Sequence, residues 1–306
     1  MKIFTVEQKE KRKVYRLFGR TIFRSGEKRR GLYDMKRIIE NYCGVKTKLK
    51  RWEIQHGWTP LDGALAVDLE RDLDLMLCWN KRFQEDWVQK SKVPCEIITA
   101  PFVIYRRENK IERSKDAKGT LAYPAHSIKG KKAQYDIDKY CELLRSLPEE
   151  FQPVTISLHH SDIDEYNMDK EYEKRGLKTV CASYGQGDKQ FYEAFYDILK
   201  NFRYTTSNEP GSYSFYSVEM GIPFFILGEP SVTDNSQGAD KNVEAKKNMS
   251  ILDYKYGKIA FDLFSHKPYG EITQEQKDFV YSELGLNNSL NKEELKKVLN
   301  KVKKWF

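Results

Sequence analysis

The chain has 306 residues, of which 40% are hydrophobic and 32% charged, and its formal net charge is +8. This composition is typical of a folded globular protein and excludes a disordered chain, and the length suffices for two modest domains. The five cysteines lack CxxC spacing, and no apolar run reaches the length of a membrane span. Since the charged N-terminus is no signal peptide, we expect a cytoplasmic protein with reduced thiols.

The positive charge is concentrated between Lys9 and Arg30, where apolar side chains such as Tyr15 and Ile22 interleave with basic ones. We expect a basic amphipathic helix here. Such a helix could dock on an anionic membrane surface, pack on the domain or contact nucleic acid, and the sequence leaves these three roles open. No nucleic-acid module is recognisable, so no nucleic-acid partner is expected.

The first half of the chain contains a few predicted elements separated by polar segments. A helix is predicted over 32–42, a second is capped by Asn80 and ends at Trp87, and strands are predicted over 51–58, 73–79 and 96–104. Pro101 interrupts the last of these strands. The strongly polar segment 105–118 is the predicted linker between two domains.

The second half alternates strands with helices, which predicts a parallel sheet covered by helices on both faces. The predicted strands cover 119–123, 153–159, 178–183, 203–206 and 222–227. Helices are predicted between them over 135–147, 164–175 and 188–202, the last capped by Asp188. A polar loop over 230–248 then precedes three helices predicted over 251–266, 273–284 and 291–305.

Residues 202–229 are predicted to form a strand, a tight turn, a helix and a second strand. Gly211 and Ser212 begin the helix, and Gly221 ends it. Free backbone N–H groups and the helix dipole make such an N-terminus suitable for a phosphate group. Most turns of this kind bind nothing, and the glycine spacing is neither a P-loop nor a dinucleotide fingerprint, so the pattern alone leaves both uses open.

From Ser207 the sequence reads Ser-Asn-x-x-Gly-Ser, then Phe-Tyr, Gly-x-Pro and an apolar strand. This resembles the nucleotide-sugar segment of GT-B glycosyltransferases that build bacterial capsule, O-antigen and lipopolysaccharide. The resemblance implies an α/β fold with two Rossmann-like domains facing across a cleft and a C-terminal helical tail. The implied divisions are an acceptor-side domain over 1–112, a nucleotide-sugar-binding domain over 113–265 and a tail over 266–306.

Ligands of open parallel sheets bind beyond the carboxyl ends of the strands, and polar clusters lie at these ends in the prediction. Four of the five histidines are among them, namely His56, His126, His159 and His160. A histidine at a turn also serves to cap backbone groups. Position alone therefore leaves a structural or a functional use open for each.

The resemblance implies roles for several of these residues. His56 corresponds to a histidine of the cleft that acts as general base on the acceptor hydroxyl or hydrogen-bonds the donor phosphate, with Asp62 as its orienting group or as the base itself. His159 is similar to a histidine that contacts donor phosphate. The residues implied for the donor nucleotide are Tyr123, His126, His159, Ser207, Asn208, Gly211, Ser212 and Tyr216.

Tyr216 departs from the family pattern, since many GT-B enzymes have a ribose-binding glutamate at this position. The nearest glutamate, Glu219, comes three residues later. We expect Tyr216 to stack on the nucleotide or to hydrogen-bond it. No Asp-x-Asp motif stands at a predicted strand end, so we expect a reaction without metal ion or cofactor, in which the helix dipole and basic residues neutralise the leaving phosphate.

The implied reaction transfers a hexosyl or acidic sugar from a nucleotide-sugar donor to a lipid-linked surface glycan, at the inner face of the bacterial membrane. Two alternatives remain open. One is transfer of a polyol phosphate from a CDP-linked donor, as teichoic-acid polymerases perform it. The other is a non-catalytic, membrane-associated scaffold of a polysaccharide assembly complex.

Overall fold

An antiparallel three-stranded sheet begins the chain in the computed structural model. Its strands are β1 (Phe4–Lys9), β2 (Arg12–Leu17) and β3 (Arg20–Ser25). The basic helix predicted here is therefore wrong, because the β-branched and aromatic residues of this segment favour strands. The described residues, with side chains from Tyr33 onward, are 4–9, 12–17, 20–25, 32–127, 130–182, 190–233, 249–266 and 269–301.

A parallel three-stranded sheet follows, in the order β4 (Trp52–Ile54), β5 (Leu75–Cys78) and β6 (Cys95–Ile97). Both β4 and β5 lie inside their predicted ranges, and the Asn80 side chain caps the next helix by accepting the Phe83 N–H, as predicted. The helices of this part are α1 (Met35–Cys43), α2 (Ala66–Leu69), α3 (Lys81–Lys90) and α4 (Pro101–Glu108).

The segment after β6 differs from the predicted strand over 96–104. The strand ends at Ile97, and Pro101 is the first residue of α4, where its fixed φ suits a helix and its missing N–H costs nothing. Helix α4 continues to Glu108, inside the segment predicted as a linker. Its Arg106 donates two hydrogen bonds of 2.7 Å to the buried carboxylate of Glu219, so this part of the segment is packed against the second half of the chain.

The second parallel sheet has five strands, which confirms the predicted α/β alternation. In chain order they are β7 (Thr120–Ala122), β8 (Val154–Leu158), β9 (Lys178–Cys181), β10 (Tyr204–Ser207) and β11 (Phe224–Ile226). Their order in space is β11-β10-β7-β8-β9, and every neighbouring pair is parallel. The chain therefore moves outward from β7 in one direction and returns to its other side at β10. Such a switch point opens a crevice for ligands at the carboxyl ends of the strands.

Helices connect these strands and close the chain. The predicted helix over 164–175 is divided by Asn167, whose φ is 51°. The predicted cap Asp188 and residues 234–248 of the predicted loop lie outside the described residues. The described elements are α5 (Ile137–Arg145), α6 (His160–Asp164), α7 (Met168–Lys174), α8 (Phe191–Leu199), α9 (Ser212–Glu219), the antiparallel pair β12 (Val232–Thr233) and β13 (Met249–Ser250), α10 (Lys255–Phe264), α11 (Gln274–Glu283) and α12 (Lys292–Asn300).

One buried apolar cluster contains side chains from both parallel sheets. Leu77 of β5 and Leu121 of β7 belong to it, together with Phe102 of α4 and Phe215 of α9. Because burial of large apolar side chains is the main favourable term in folding, this shared cluster holds the two sheets together. Among the helices that the structure describes, none has both the length and the apolar character needed to cross a membrane.

Candidate functional site

Four histidines converge where β4, β7 and β8 end. His56 follows β4, His126 follows β7, and His159 and His160 follow β8. The ring centroids of His126 and His159 are 4.8 Å apart, and those of His159 and His160 are 4.0 Å apart. His126 is close enough to His56 to lower its pKa, and His56 is close enough to His159 to lower the pKa of that residue. The sequence places each histidine at a strand end, and the fold gathers the four into one cluster.

His159 is held in one orientation and one charge state. Its Nδ1 accepts the backbone N–H of Ser161 at 3.3 Å, which caps α6. Burial, followed by the neighbouring His126, His160 and His56, lowers the pKa of His159 from 6.5 to about 3. The imidazole is therefore neutral near pH 7. Since Nδ1 is an acceptor, the proton lies on Nε2, which is available to donate a hydrogen bond.

The His56 side chain is exposed to solvent, although neighbouring protein atoms desolvate it in part. Desolvation, followed by the charges of His126 and Arg71, lowers its pKa below the ordinary 6.5. The ring of Tyr33 lies nearly parallel to it, with centroids 6.0 Å apart. A neutral imidazole in contact with solvent has a free lone pair, so His56 is suited to accept a proton from a hydroxyl group.

Two carboxylates interact electrostatically with His126, and burial raises the pKa of each. Asp162 is 4% exposed and accepts the backbone N–H of Ser127 at 2.9 Å. Glu209 accepts the hydroxyl of Ser231 at 2.9 Å. Neither carboxylate is among the site residues predicted from the sequence. Glu209 could have been found from the sequence, because it lies two residues after β10 at the switch point.

The N-terminus of α9 contacts the turn that carries His56. Helix α9 begins at Ser212, as predicted, and Gly211 is its N-cap residue. The Ser212 hydroxyl accepts the backbone N–H of Trp58 at 2.8 Å. A Cβ atom on Gly57 would lie only 3.1 Å from this hydroxyl oxygen, so the glycine permits the close approach. The predicted phosphate-binding helix and the predicted base therefore lie on either side of one short contact.

Polar residues at the ends of β7 and β10 fix the switch point. The Ser207 hydroxyl donates to the backbone carbonyl of Tyr123. Asn208 accepts the N–H of Ala125 at 2.7 Å and donates to the carbonyl of Glu229 at 3.2 Å. These buried side chains use their polar atoms on the backbone, and they thereby set the spacing of the two strand ends.

Two other predicted site residues, Tyr216 and Asp62, make contacts within the protein. Tyr216 is 5% exposed, its hydroxyl is bonded to Ser212, and its ring lies parallel to that of Phe102 at 5.1 Å. Asp62 is exposed, with Lys255 Nζ 3.5 Å from its carboxylate. Their predicted roles at the nucleotide and the acceptor stay predictions. Across the described ranges, no three His, Cys, Asp or Glu side chains are arranged to hold one metal ion.

Comparison with known proteins gives a distant likeness. No protein-family model and no curated protein matches the sequence. Two solved structures of variants of the wall teichoic acid polymerase TagF, one soaked with CDPG, are similar at 13% and 14% identity with TM-scores of 0.36 and 0.37. The matches cover 74% and 76% of this chain but only 55% and 57% of TagF. A likeness at this level does not establish a shared activity.

Proposed function

We propose that the protein is a transferase that binds a nucleotide-sugar donor at the switch point between β7 and β10. The observation that carries this proposal is the convergence of four histidines at the carboxyl ends of β4, β7 and β8. Clustered titratable groups with strongly shifted pKa values at such an edge are typical of functional sites. The lowered pKa values of His56 and His159 supply that signal here.

The protonation states support a division of labour between these histidines. His159, with its proton on Nε2, donates a hydrogen bond to a donor phosphate oxygen. When the bond from the sugar to the nucleotide phosphate breaks, negative charge develops on that phosphate, and the N-terminus of α9 stabilises it. The acceptor hydroxyl attacks the anomeric carbon and passes its proton to His56. In this proposal the side chains of His56 and His159 and the N-terminus of α9 carry the reaction without a metal ion or cofactor.

The identity of the acceptor is inferred from the sequence resemblance, which favours a lipid-linked surface glycan at an anionic membrane. The chemistry of the product separates this transfer from its closest alternative. A sugar transferase joins the sugar to the acceptor through a glycoside, whereas a polyol phosphate transferase joins the polyol to the acceptor through a phosphodiester. Analysis of the product for a glycoside or a phosphodiester therefore distinguishes the two.

Kinetics of two histidine variants test the proposed roles. His56→Ala removes the base, so turnover is expected to fall by at least about 100-fold while donor affinity is retained. His159→Asn removes the Nε2–H donor and is expected to weaken donor affinity. His266→Asn, at the exposed fifth histidine, is the control and keeps both parameters. Wild-type turnover in His56→Ala together with wild-type affinity in His159→Asn would refute the assignment.

A further inference from the structure

Glu283, at the end of α11, is a buried carboxylate with several side-chain donors from the first half of the chain. It is 4% exposed. Its oxygens accept Arg82 Nη2 at 2.6 Å, Trp58 Nε1 at 2.7 Å and Asn80 Nδ2 at 3.4 Å. We call Glu283, Arg82, Trp58 and Asn80 the Glu283 cluster. A C-terminal helix thus binds the loop that follows β4.

Arg82 extends this cluster along the same loop. Its guanidinium donates to the backbone carbonyl of Thr59 at 2.7 Å and to that of Leu61. The Tyr256 ring covers it, with the guanidinium carbon 4.2 Å from the ring centroid. A buried ion pair is often no more stabilising than apolar packing of the same volume. The contribution of this pair is geometric, because its directional hydrogen bonds fix the loop in one position.

Trp58 transmits this constraint to the histidine site. Its indole N–H is held by Glu283, and its backbone N–H by the Ser212 hydroxyl at the start of α9. Its ring packs edge-on against Phe215 of α9, with centroids 5.0 Å apart. His56 lies two residues before Trp58 in the same turn, so its position depends on these contacts.

We propose that the Glu283 cluster is a positioning element that keeps His56 in place beside His126. The role of His56 as a catalytic base rests on the proposed function, whereas its positioning by the Glu283 cluster does not. Helix α11 follows both parallel sheets in the chain. Through Glu283 it binds the turn that carries His56, so a C-terminal helix helps to assemble the site.

Titration of His56 by NMR tests the positioning without any substrate. Trp58→Phe removes the indole N–H and retains an aromatic ring against Phe215, while Glu283→Gln removes the charge with little change of shape. The groups that face His56, namely His126, Arg71 and Tyr33, stay in place. In either variant the pKa of His56 is expected to rise toward 6.5, because the released turn moves His56 away from the protein atoms that desolvate it.

Glu275→Gln, at an exposed position of α11, is the matched control and keeps the wild-type titration. Should Glu283→Gln not fold, Trp58→Phe carries the test, since its change is confined to one hydrogen bond and local packing. An unchanged His56 titration in folded Trp58→Phe overturns the proposal.

Kinetics separate this inference from the proposed function. If both hold, Trp58→Phe lowers turnover by about tenfold or more and leaves donor affinity within about twofold, since a small misplacement of a catalytic group costs up to about 100-fold. Absence of nucleotide binding by the wild-type protein would refute the proposed function and leave the His56 titration intact. Normal turnover in Trp58→Phe, with a shifted His56 titration, would refute the catalytic meaning of the position.

Discussion

The pKa of His159, lowered from 6.5 to about 3 by burial and by three neighbouring histidines, links stability to pH. Between these two values the unfolded chain binds a proton that the folded protein rejects. The free energy of unfolding contributed by His159 is therefore complete above pH 6.5 and is lost as the pH falls through this window. The neighbours that cause the shift are His126, His160 and His56.

The size of this effect follows from the width of the window. Each pH unit inside it changes the free energy of unfolding by about 1.4 kcal/mol for one group. Acidification from about pH 7 to about pH 5.5 therefore costs about 1.3 kcal/mol through His159 alone. His56, whose pKa is also lowered, changes stability in the same direction. Protonation of Nδ1 also removes the acceptor for the Ser161 N–H at the start of α6.

Urea denaturation at the two pH values measures the effect. His159→Asn removes the titrating group and retains a side-chain oxygen that suits an N-cap. The loss of stability on acidification is expected to be smaller in this variant than in the wild type by about 1.3 kcal/mol. His266→Asn, at the exposed histidine, is expected to reproduce the wild-type loss. Equal losses in the wild type and His159→Asn would refute this reasoning.

Two further predictions concern stability. Glu219→Gln leaves the partly buried Arg106 without its charged partner, so the free energy of unfolding should fall by about 2 kcal/mol while nucleotide binding stays unchanged. Stability equal to wild type in urea would contradict this prediction. Gly119 has a φ of +67°, and the Cβ atom added by Gly119→Ala would lie 2.2 Å from the Pro153 carbonyl oxygen. Gly130 has a similar φ of +76°, but a Cβ atom there would meet open space. Gly119→Ala should therefore lower the melting temperature far more than Gly130→Ala. Similar melting temperatures for the two variants would contradict this expectation.

The second half of the fold was accessible from the sequence because its signals are local. Apolar strands, polar strand ends and capping residues such as Thr273 and Asn291 mark each element within a few positions. The first half was harder to predict. Interleaved basic and apolar residues suit a helix as well as a hairpin, and Pro101 both breaks a strand and begins a helix. After Pro101, contacts with distant residues such as Glu219 decide between the two local options.

The same distinction applies to the candidate site. The histidines gather because the ends of parallel strands share an edge, which the sequence pattern implies. The burial of Tyr216 depends on its packing against Phe102, more than a hundred residues earlier, and the partners of Glu283 are more than two hundred residues away. Long-range pairs of this kind leave no local pattern. A single sequence therefore gives the edge where the site lies and not all of the side chains that build it.

Nucleotide binding to the wild-type protein decides whether the switch point is a donor site. A thermal-shift panel with UDP, GDP, CDP, CMP and dTDP, each with and without EDTA, compares the donor classes. A ligand at about 100 times its dissociation constant adds about 2.7 kcal/mol, which raises the melting temperature by several degrees. We predict such a shift with one nucleotide, retained in EDTA and reduced in His159→Asn. No shift with any of the five would contradict a nucleotide-dependent transferase.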